Sequence, residues 1–313
     1  MNLNNRILVF SYDAGGANLA MAYAYYKNKE GYEVKCFPKG PALKIFENHI
    51  PSLISKEMID LKKSDIIVTG TSGMHSDYEM EIIKKFKNRV YRTITLLDAS
   101  GNLKMRFSID GIALNKEFLP DEIYYEENFD FLEHPLLKLR VIKKENLYLK
   151  YLKEVFYKSK VATTNKDILK YKKNYLLVLT EYISDLYGDK FGFNEFDFLK
   201  DILTTIDNLS LNIVVFIKSH PAEDLNKYDA IISKYKNIKI YKANYNIQEV
   251  LFNSKIVFGL NSSVFKEALV LEKPIYSVQI GAKKNLDTIK EVEVVTSSSE
   301  LKNILNKYYK DKK

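Results

Sequence analysis

Cysteine and tryptophan are nearly missing from this chain: its 313 residues include one cysteine, Cys36, and no tryptophan. One thiol cannot form an internal disulfide framework, which excludes the small disulfide-stapled secreted domains. Cys36 lies in a strand-like run, 33–37, and we expect it to be a small buried apolar side chain. None of the four histidines joins a cluster with metal-ligand spacing, so no metal site is expected.

Long apolar runs are missing too. A membrane-spanning helix needs about 18 consecutive apolar residues, and the sequence has no such run. The first apolar run, Ile7 to Phe10, is too short for a signal peptide. We therefore expect a cytoplasmic protein.

Positive charge is in excess, with 48 basic against 40 acidic residues and a net charge of +8. This excess fits either a solvated lysine-rich surface or attraction to anionic substrates and to the inner face of the membrane, where the protein would be peripheral. The aromatic-plus-basic arrays that hold single-stranded nucleic acid are missing, so nucleic acid is not an expected partner.

Length and patterning together predict the fold class. A chain of 313 residues with 46% hydrophobic content is long enough for two domains with real cores. Strands alternate with helices in each half, which is typical of a parallel sheet covered on both faces. We predict an α/β protein of two doubly wound, Rossmann-like domains facing a central cleft, at 1–160 and 174–313, with a linker at 161–173. Ligands of such sheets bind beyond the carboxyl ends of the strands.

The individual elements follow from hydrophobic periodicity. In the first half, the predicted strands are 6–11, 32–37, 65–69, 90–97 and 122–125, and the predicted helices are 19–28, 42–48 and 78–87. In the second half, the predicted strands are 175–179, 211–217, 238–241, 256–260 and 274–279, and the predicted helices are 195–207, 225–236, 247–253, 267–271 and 298–307. The periodicity of 78–87 places Glu79 on the solvent side.

The segment Asp13 to Asn18, predicted as a turn after the first strand, contains Gly15 and Gly16. Glycines permit close backbone approach and unusual dihedral angles, although this segment is not the complete dinucleotide fingerprint G-x-G-x-x-G. Asp13 either caps the following helix or lies at the mouth of the cleft, where it could accept a proton from an attacking hydroxyl.

Two more strand ends in the first half carry polar groups. The turn Thr69 to His75 is rich in small hydroxyl residues, which fit either helix capping or contact with a substrate hydroxyl or phosphate. Asp98 ends another strand, and Arg106 follows within reach. These two residues form either a structural ion pair or part of an acceptor site.

In the second half, Lys218-Ser219-His220-Pro221 follows a strand. Pro221 favours extended geometry at His220, which predicts an imidazole at the strand end, able to donate to a phosphate oxygen. The alternative is a proline at a helix start with a bystander histidine. Thr180 and Glu181 end the first strand of this half and fit either contact with a base or ribose or a simple helix cap.

The segment Asn261-Ser262-Ser263 comes between a strand and a helix that carries Glu267 in its second turn. The N–H groups at a helix start, next to hydroxyls, form a natural anion site. We expect this turn to bind a diphosphate, with Glu267 accepting from ribose hydroxyls. Ordinary helix capping is the alternative.

The motifs at 218–221 and 262–268 together resemble the C-terminal half of GT-B glycosyltransferases. They look most like bacterial capsule and lipopolysaccharide enzymes, including sialyltransferases, Kdo transferases and CDP-glycerol glycerophosphotransferases, and also like the sugar-nucleotide epimerases that share this fold. The resemblance implies a GT-B-like fold in which His220, Ser262 and Ser263 contact the donor phosphates, 174–313 binds the nucleotide sugar and 1–160 forms the acceptor side. A wider set of motifs is similar to a bacterial family of polysaccharide-biosynthesis proteins; it comprises Asp13 to Asn18, Thr69 to Ser72, Asp98 with Arg106, 119–123 and 262–279.

Three functions are compatible with these patterns. The first is an inverting glycosyltransferase of capsule or lipopolysaccharide biosynthesis, with a nucleotide-sugar donor, a glycan or glycolipid acceptor and no cofactor. Asp13 or Asp98 would deprotonate the acceptor, and His220 with Ser262 and Ser263 would stabilise the departing phosphate. The missing D-x-D motif favours metal independence. The second is a sugar-nucleotide epimerase or hydrolase of the same fold, and the third is a non-catalytic subunit of a polysaccharide-assembly complex.

Overall fold

The computed structural model describes residues 5–56, 60–73, 76–99, 102–126, 135–158, 165–220 and 223–310. The chain divides into two compact units, Met1–Tyr151 and Leu152–Lys313. Among the helices described, none combines the length and apolar character needed to cross a bilayer.

The first unit is built on a parallel sheet. Its strands are β1 (Ile7–Ser11), β2 (Val34–Pro38), β3 (Ile66–Thr69), β4 (Arg92–Leu96), β5 (Ser108–Ile109), β6 (Ile112–Ala113), β7 (Glu122–Tyr125) and β8 (Val141–Lys143). Its helices are α1 (Ala14–Lys29), α2 (Pro41–His49), α3 (Tyr78–Phe86), α4 (Leu103–Arg106) and α5 (Leu147–Tyr151), with 3₁₀ turns at 51–53, 87–89, 116–118 and 135–137. The main sheet has the order β2-β1-β3-β4-β7-β8, and β5 and β6 form a small antiparallel hairpin.

The second unit repeats this architecture. Its strands are β9 (Tyr175–Leu179), β10 (Val214–Lys218), β11 (Lys239–Lys242), β12 (Ile256–Gly259), β13 (Ile275–Val278) and β14 (Glu293–Val295), in the order β11-β10-β9-β12-β13-β14. A π-helical turn at Leu152–Phe156 precedes the helices α6 (Lys166–Lys170), α7 (Ile183–Tyr187), α8 (Glu195–Asn208), α9 (Asp229–Ile232), α10 (Ile247–Asn253), α11 (Val264–Val270) and α12 (Ser298–Tyr309).

The central strands are largely apolar because both faces of each sheet are covered. Every residue of β1, β3 and β9 is buried, as expected for parallel strands between helical layers. Cys36, on β2, is also fully buried, as predicted. Two of the longer helices, α8 and α12, begin at strong sequence signals, the capping boxes at Asn194 and Ser297.

Both sheets contain a topological switch point next to their first strand. β1 lies between β2 and β3, and β9 lies between β10 and β12. At such points successive loops diverge at the carboxyl edge and leave a crevice in which ligands bind. The candidate ligand-binding crevices are therefore those between β1 and β3 and between β9 and β12.

The structure corrects the prediction of a turn at Asp13 to Asn18. Helix α1 begins at Ala14 rather than at Leu19, so Gly15 and Gly16 lie in its first turn. Neither glycine has a positive φ. The close approach that was predicted for them is real, because a Cβ on Gly16 would lie 2.5 Å from the carbonyl oxygen of Thr71 and 2.6 Å from its amide nitrogen.

The predicted helix at 225–236 is also wrong: only Asp229–Ile232 is helical. The N–H of Asn226 donates to the Asp224 carboxylate at 2.7 Å, a local bond that competes with helix formation. Several backbone N–H groups between Lys227 and Tyr235 then donate to carbonyls three residues earlier, which is the pattern of successive tight turns. The strands β8 and β14, the helix α7 and the β5–β6 hairpin were not predicted.

Candidate functional site

Glu181 joins two strand ends across the switch point of the second unit. It follows β9, and its Oε1 accepts the N–H of Asn261, beyond β12, at 2.6 Å. Burial raises the pKa of Glu181 to about 7, although bonds from the N–H groups of Asn261 and Leu260 oppose the rise. A carboxyl group that titrates near neutral pH therefore lies where a ligand of this sheet would bind.

Glu223 joins β9 to β10 in the same way. Its side chain is buried, and its Oε2 accepts the Thr180 hydroxyl at 2.6 Å and the N–H of His220 at 2.9 Å. Its Oε1 accepts the Tyr228 hydroxyl and lies 3.2 Å from the Lys227 ammonium. Glu223 thus fixes two of the predicted site residues, Thr180 and His220, relative to each other.

His220 lies at the end of its strand, as predicted. Its ring packs at a tilt against Tyr182, with 4.4 Å between ring centroids. Burial lowers the pKa of His220, with Glu223 opposing the shift, so the imidazole is mostly neutral at pH 7. The neighbouring Lys218 donates to the carbonyl of Tyr245 at 2.9 Å, and burial lowers its pKa. Pro221 lies outside the described residues.

The Asn261-Ser262-Ser263 turn differs from the expected amide cradle. The N–H of Val264 donates to Ser262 Oγ at 3.3 Å, and the N–H groups of Phe265 and Lys266 donate to the carbonyls of Ser262 and Ser263 at 3.0 and 3.2 Å. These bonds occupy the amides that the sequence had assigned to a phosphate. Asn261 and Ser263 are both exposed to solvent in this turn.

Glu267 lies in the first turn of α11 rather than in the second turn that was predicted, and it is only 7% exposed. Its Oε2 accepts from the side-chain amide of Gln248 on α10 at 3.3 Å. This contact holds the carboxylate beneath the turn rather than leaving it free in solvent.

The corresponding switch point of the first unit is interlocked by hydrogen bonds. The N–H of Asp13 donates to Ser72 Oγ at 3.2 Å, and Asp13 Oδ2 accepts the N–H of Gly73 at 2.7 Å. Asp13 precedes α1 but makes no side-chain capping bond to it, so the capping alternative is wrong. Its carboxylate instead links the β1 end to the β3 end. His75, in the same turn by sequence, lies outside the described residues.

Glu79 is a residue whose position was predicted wrongly. It is 1% exposed rather than on the solvent face of α3. Its two carboxylate oxygens accept the N–H of Tyr12 and the Ser72 hydroxyl, each at 2.8 Å. Burial is the largest cause that raises the pKa of Glu79 to about 7, and the charge of Asp13 contributes.

Asp98 and Arg106 form the ion pair that was one of two alternatives. The guanidinium donates to Asp98 Oδ1 at 2.6 Å and to Thr71 Oγ1 at 3.0 Å, and the Thr71 hydroxyl donates to the same Asp98 oxygen at 2.6 Å. Gly15 packs directly on the other oxygen, Oδ2. Asp98 is therefore a firmly positioned carboxylate.

Glu79 and Glu223 were missed as site residues because charged residues in helical or polar surroundings are normally solvated. A weak signal was present for Glu223, which follows the end of β10 closely and accepts the N–H of His220 beyond that strand. Glu79 gave no such signal, because the N–H that it accepts belongs to Tyr12, 67 residues earlier in the chain. Only the folded chain shows which backbone N–H each glutamate accepts.

Comparison with known proteins gives a fold and no family. No protein-family model matches the chain, and no curated protein matches its sequence. Among solved structures, the chain is similar to the UDP-GlcNAc 2-epimerase of Methanocaldococcus jannaschii, with TM-score 0.62, 12% identity and coverage of 98% of this chain and 93% of that one. It is also similar to the UDP-GlcNAc 2-epimerase of Neisseria meningitidis bound to UDP-GlcNAc, with TM-score 0.62, 11% identity and coverage of 96% and 90%.

A third similarity is weaker. The E. coli heptosyltransferase WaaC with ADP-2-deoxy-2-fluoro heptose matches with TM-score 0.46, 9% identity and coverage of 96% and 99%, and no conclusion rests on it. At these identities the likeness to the epimerases shows the fold alone. The predicted class of two Rossmann-like α/β domains, GT-B-like as in these neighbours, is confirmed.

Proposed function

We propose that this protein is an enzyme of surface-polysaccharide biosynthesis that acts on a nucleotide-activated sugar, with the nucleotide bound at the switch point between β9 and β12. One observation carries the proposal. The predicted site residues at the ends of β10, β9 and β12 are tied into one cluster by the carboxylates of Glu223 and Glu181. A ligand at this edge would meet groups whose positions are already fixed, which lowers the cost of binding.

The phosphate contacts in this proposal come from side chains. Ser263 offers an exposed hydroxyl, and the neutral imidazole of His220 can donate through one ring nitrogen. Ser262 also has a hydroxyl, which accepts the N–H of Val264 and can donate its own proton to a phosphate. The net charge of +8 favours approach of an anionic nucleotide.

For the nucleoside, we propose Glu267 as the ribose contact, since its carboxylate is held in place by Gln248. Thr180 and Glu181 are the proposed contacts for the base or the ribose at the end of β9. In the first unit, Asp13 and Asp98 stay as the predicted proton-transfer carboxylates. Lys218 ends the strand that precedes His220 and donates to the backbone carbonyl of Tyr245.

The reaction that we place first is epimerisation or hydrolysis of the nucleotide sugar without an acceptor. Support comes from the two structural neighbours with TM-scores of 0.62, both named as UDP-GlcNAc 2-epimerases. The second candidate is glycosyl transfer to a glycan or glycolipid. It is favoured by the motifs at 218–221 and 262–268, which resemble those of GT-B transferases.

Calorimetric titration of the full chain with UDP, ADP and CMP tests the binding step. We expect one nucleotide to bind, and Ser263→Ala and His220→Ala to weaken that binding about tenfold each, because each removes one charge-assisted hydrogen bond. Ser298→Ala is the matched control, since Ser298 is an exposed serine at the start of α12. If none of the three nucleotides binds, the proposal is wrong.

The reaction is tested by incubation with UDP-GlcNAc alone, followed by NMR of the products. A changed or released sugar without an acceptor supports the epimerase or hydrolase. Turnover that requires an added glycan supports the transferase. Asp13→Asn and Asp98→Asn should then abolish turnover while leaving nucleotide affinity within about twofold, because neither residue belongs to the proposed nucleotide contacts.

A further inference from the structure

Lys227 is a nearly buried cation to which the proposed function gives no role. Its side chain is 13% exposed, and its ammonium lies 2.6 Å from Glu195 Oε1 and 3.2 Å from Glu223 Oε1. Both of these glutamate side chains have no exposed surface. The carboxylate of Asp185 also lies 3.2 Å from the ammonium, but this side chain is 68% exposed. The ammonium is therefore the counter-charge of two buried carboxylates, and the exposed third adds little because water screens it.

Different elements of the second unit meet at this ammonium. Glu195 is the first residue of α8, and its carboxylate also accepts the N–H and the hydroxyl of Ser184 on α7, at 2.8 and 2.5 Å. Glu223 and Lys227 lie four residues apart in the turns between β10 and α9. The ring of Phe196, also on α8, has its centroid 5.3 Å from the ammonium. Lys227 is therefore tied to α8 as well as to its own segment of the chain.

The ammonium keeps its charge in this position. Burial opposes the charge, but hydrogen bonds to Glu195, Asp185 and Glu223 raise the pKa of Lys227 above its ordinary value. Burial also acts to raise the pKa of Glu195, but the bonds from Lys227 and Ser184 outweigh this effect and lower it. Lys227 and Glu195 are therefore charged partners at neutral pH.

Glu223 connects this cation to two of the predicted site residues. Its Oε1 contacts the Lys227 ammonium and the Tyr228 hydroxyl. Its Oε2 accepts the Thr180 hydroxyl at 2.6 Å and the His220 N–H at 2.9 Å. Without the ammonium, the carboxylate would either bind a proton or turn towards other donors. A neutral carboxyl group accepts weaker hydrogen bonds than a carboxylate does, so in both cases the hold on Thr180 and His220 loosens.

We propose that Lys227 is a positioning residue of the site at the ends of β9 and β10: through Glu223, it holds the His220 main chain and the Thr180 hydroxyl in place for a nucleotide. The alternative is that Lys227 only offsets the burial of Glu195 and joins α8 to its own segment. In that case, the loss of Lys227 would lower stability and leave His220 unchanged. Nucleotide binding here rests on the function proposed above, whereas the hold on His220 can be measured in the free protein.

Proton–nitrogen correlation NMR of the full chain without ligand measures that hold directly. The amide proton of His220 donates to a carboxylate, so its resonance lies downfield, and Lys227→Gln should move it upfield because the bond weakens. Calorimetric titration of this variant with UDP, ADP and CMP should show about fivefold weaker binding of the nucleotide that the original chain binds. This loss is smaller than the loss expected for His220→Ala, because the imidazole is displaced rather than removed.

Two controls separate this effect from a general loss of positive charge. Lys234→Gln removes an exposed lysine of the same unit. Asp185→Asn removes the exposed partner of Lys227 and leaves the two buried carboxylates in place. Both variants should keep the His220 resonance and the nucleotide affinity of the original chain, because exposed charges and exposed ion pairs contribute little.

Circular dichroism checks that each variant is folded. If Lys227→Gln does not fold, the double variant Glu195→Gln/Lys227→Gln replaces it, because Glu195 is then neutral while Glu223 still lacks its cation. An unchanged His220 resonance in a folded variant without Lys227 would overturn the proposal, and so would a displaced resonance with unchanged nucleotide affinity. If the original chain binds none of the three nucleotides, the function proposed above is wrong, and the His220 resonance alone decides whether Lys227 positions this residue.

Discussion

The two units share one topology but organise their switch points differently. In the first unit, Glu79 is 1% exposed and bonds across the β1 and β3 ends, while Thr71 and Arg106 hold Asp98. In the second, Glu181 bridges the β9 and β12 ends, and the adjacent Asn261 and Ser263 are exposed. Each crevice has a glutamate whose pKa is raised to about 7.

The first crevice is therefore the more rigid of the two, and the second is the more accessible to a ligand. The first unit encloses Glu79 and holds Asp98 through hydrogen bonds from Thr71 and Arg106. Gly16 packs against the Thr71 backbone, so this crevice cannot rearrange without breaking close contacts. In the second unit, Glu181 accepts the backbone N–H of Asn261, and the side of the turn formed by Asn261 and Ser263 is exposed. A ligand can therefore reach that turn directly. We therefore expect substitutions of the packed residues in the first crevice to cost stability without weakening nucleotide binding, and substitutions of the exposed turn in the second to weaken mainly binding.

The largest expected effect is at Gly16. A Cβ there would lie 2.5 Å from the Thr71 carbonyl oxygen, so Gly16→Ala must push α1 away from β3 and should cost about 3 kcal/mol or more of unfolding free energy. Urea unfolding followed by circular dichroism measures the loss. Gly73→Ala is the control, since the nearest atom to its Cβ would be Asp13 Oδ2 at 3.7 Å. Equal unfolding free energies of the two variants would show that close packing at Gly16 does not make the first crevice rigid.

The next effect is the pH dependence due to Glu79. Because burial raises its pKa from 4.5 to about 7, the folded state holds a proton that the unfolded state releases between these values. Unfolding free energy should thus fall as pH rises through this window, by at most about 3 kcal/mol. Glu79→Gln should remove this fall and be more stable than the original at pH 8.

Glu81→Gln is the matched control for that measurement, because Glu81 is exposed on the same helix. Its stability should follow the original at every pH. If Glu79→Gln also follows the original between pH 4.5 and 7, Glu79 is not the buried titrating group described here.

The smallest effect compares hydroxyls from the two crevices. Thr71 is fully buried and bonds both Asp98 and Arg106, so Thr71→Val should cost about 1–3 kcal/mol. Ser263 is exposed and makes no capping bond, so Ser263→Ala should change stability by less than about 0.5 kcal/mol. Denaturant unfolding of both variants checks this, and a large loss for Ser263→Ala would show that its turn is structural.

The sequence was most informative where apolar patterning alone decides the structure. The strands Glu122–Tyr125 and Tyr175–Leu179 and the helix Ile247–Asn253 were predicted with the bounds that the structure has. These segments have a continuous or periodic apolar pattern with clear breaks, so local chemistry and burial agree.

The candidate site was predicted less well because tertiary contacts override local preference there. Two glycines read as a turn became the first turn of α1, since their missing side chains let the helix pack on Thr71 and Asp98. Glu79 read as solvent-facing because a helical pattern cannot show that Tyr12 and Ser72 bring donors to it. The Ser262 and Ser263 turn was located correctly, but its amides close on the turn itself.

The burial of Cys36 has a practical consequence. The thiol is completely enclosed in the first unit, its pKa is raised by that burial, and it has no counterpart in the rest of the sequence. A thiol-specific reagent can therefore label the native chain only when this unit opens. The labelling rate then measures how often the first unit opens. Cys36 is thus a natural probe for the rate at which the first unit opens locally, and no engineered label is needed.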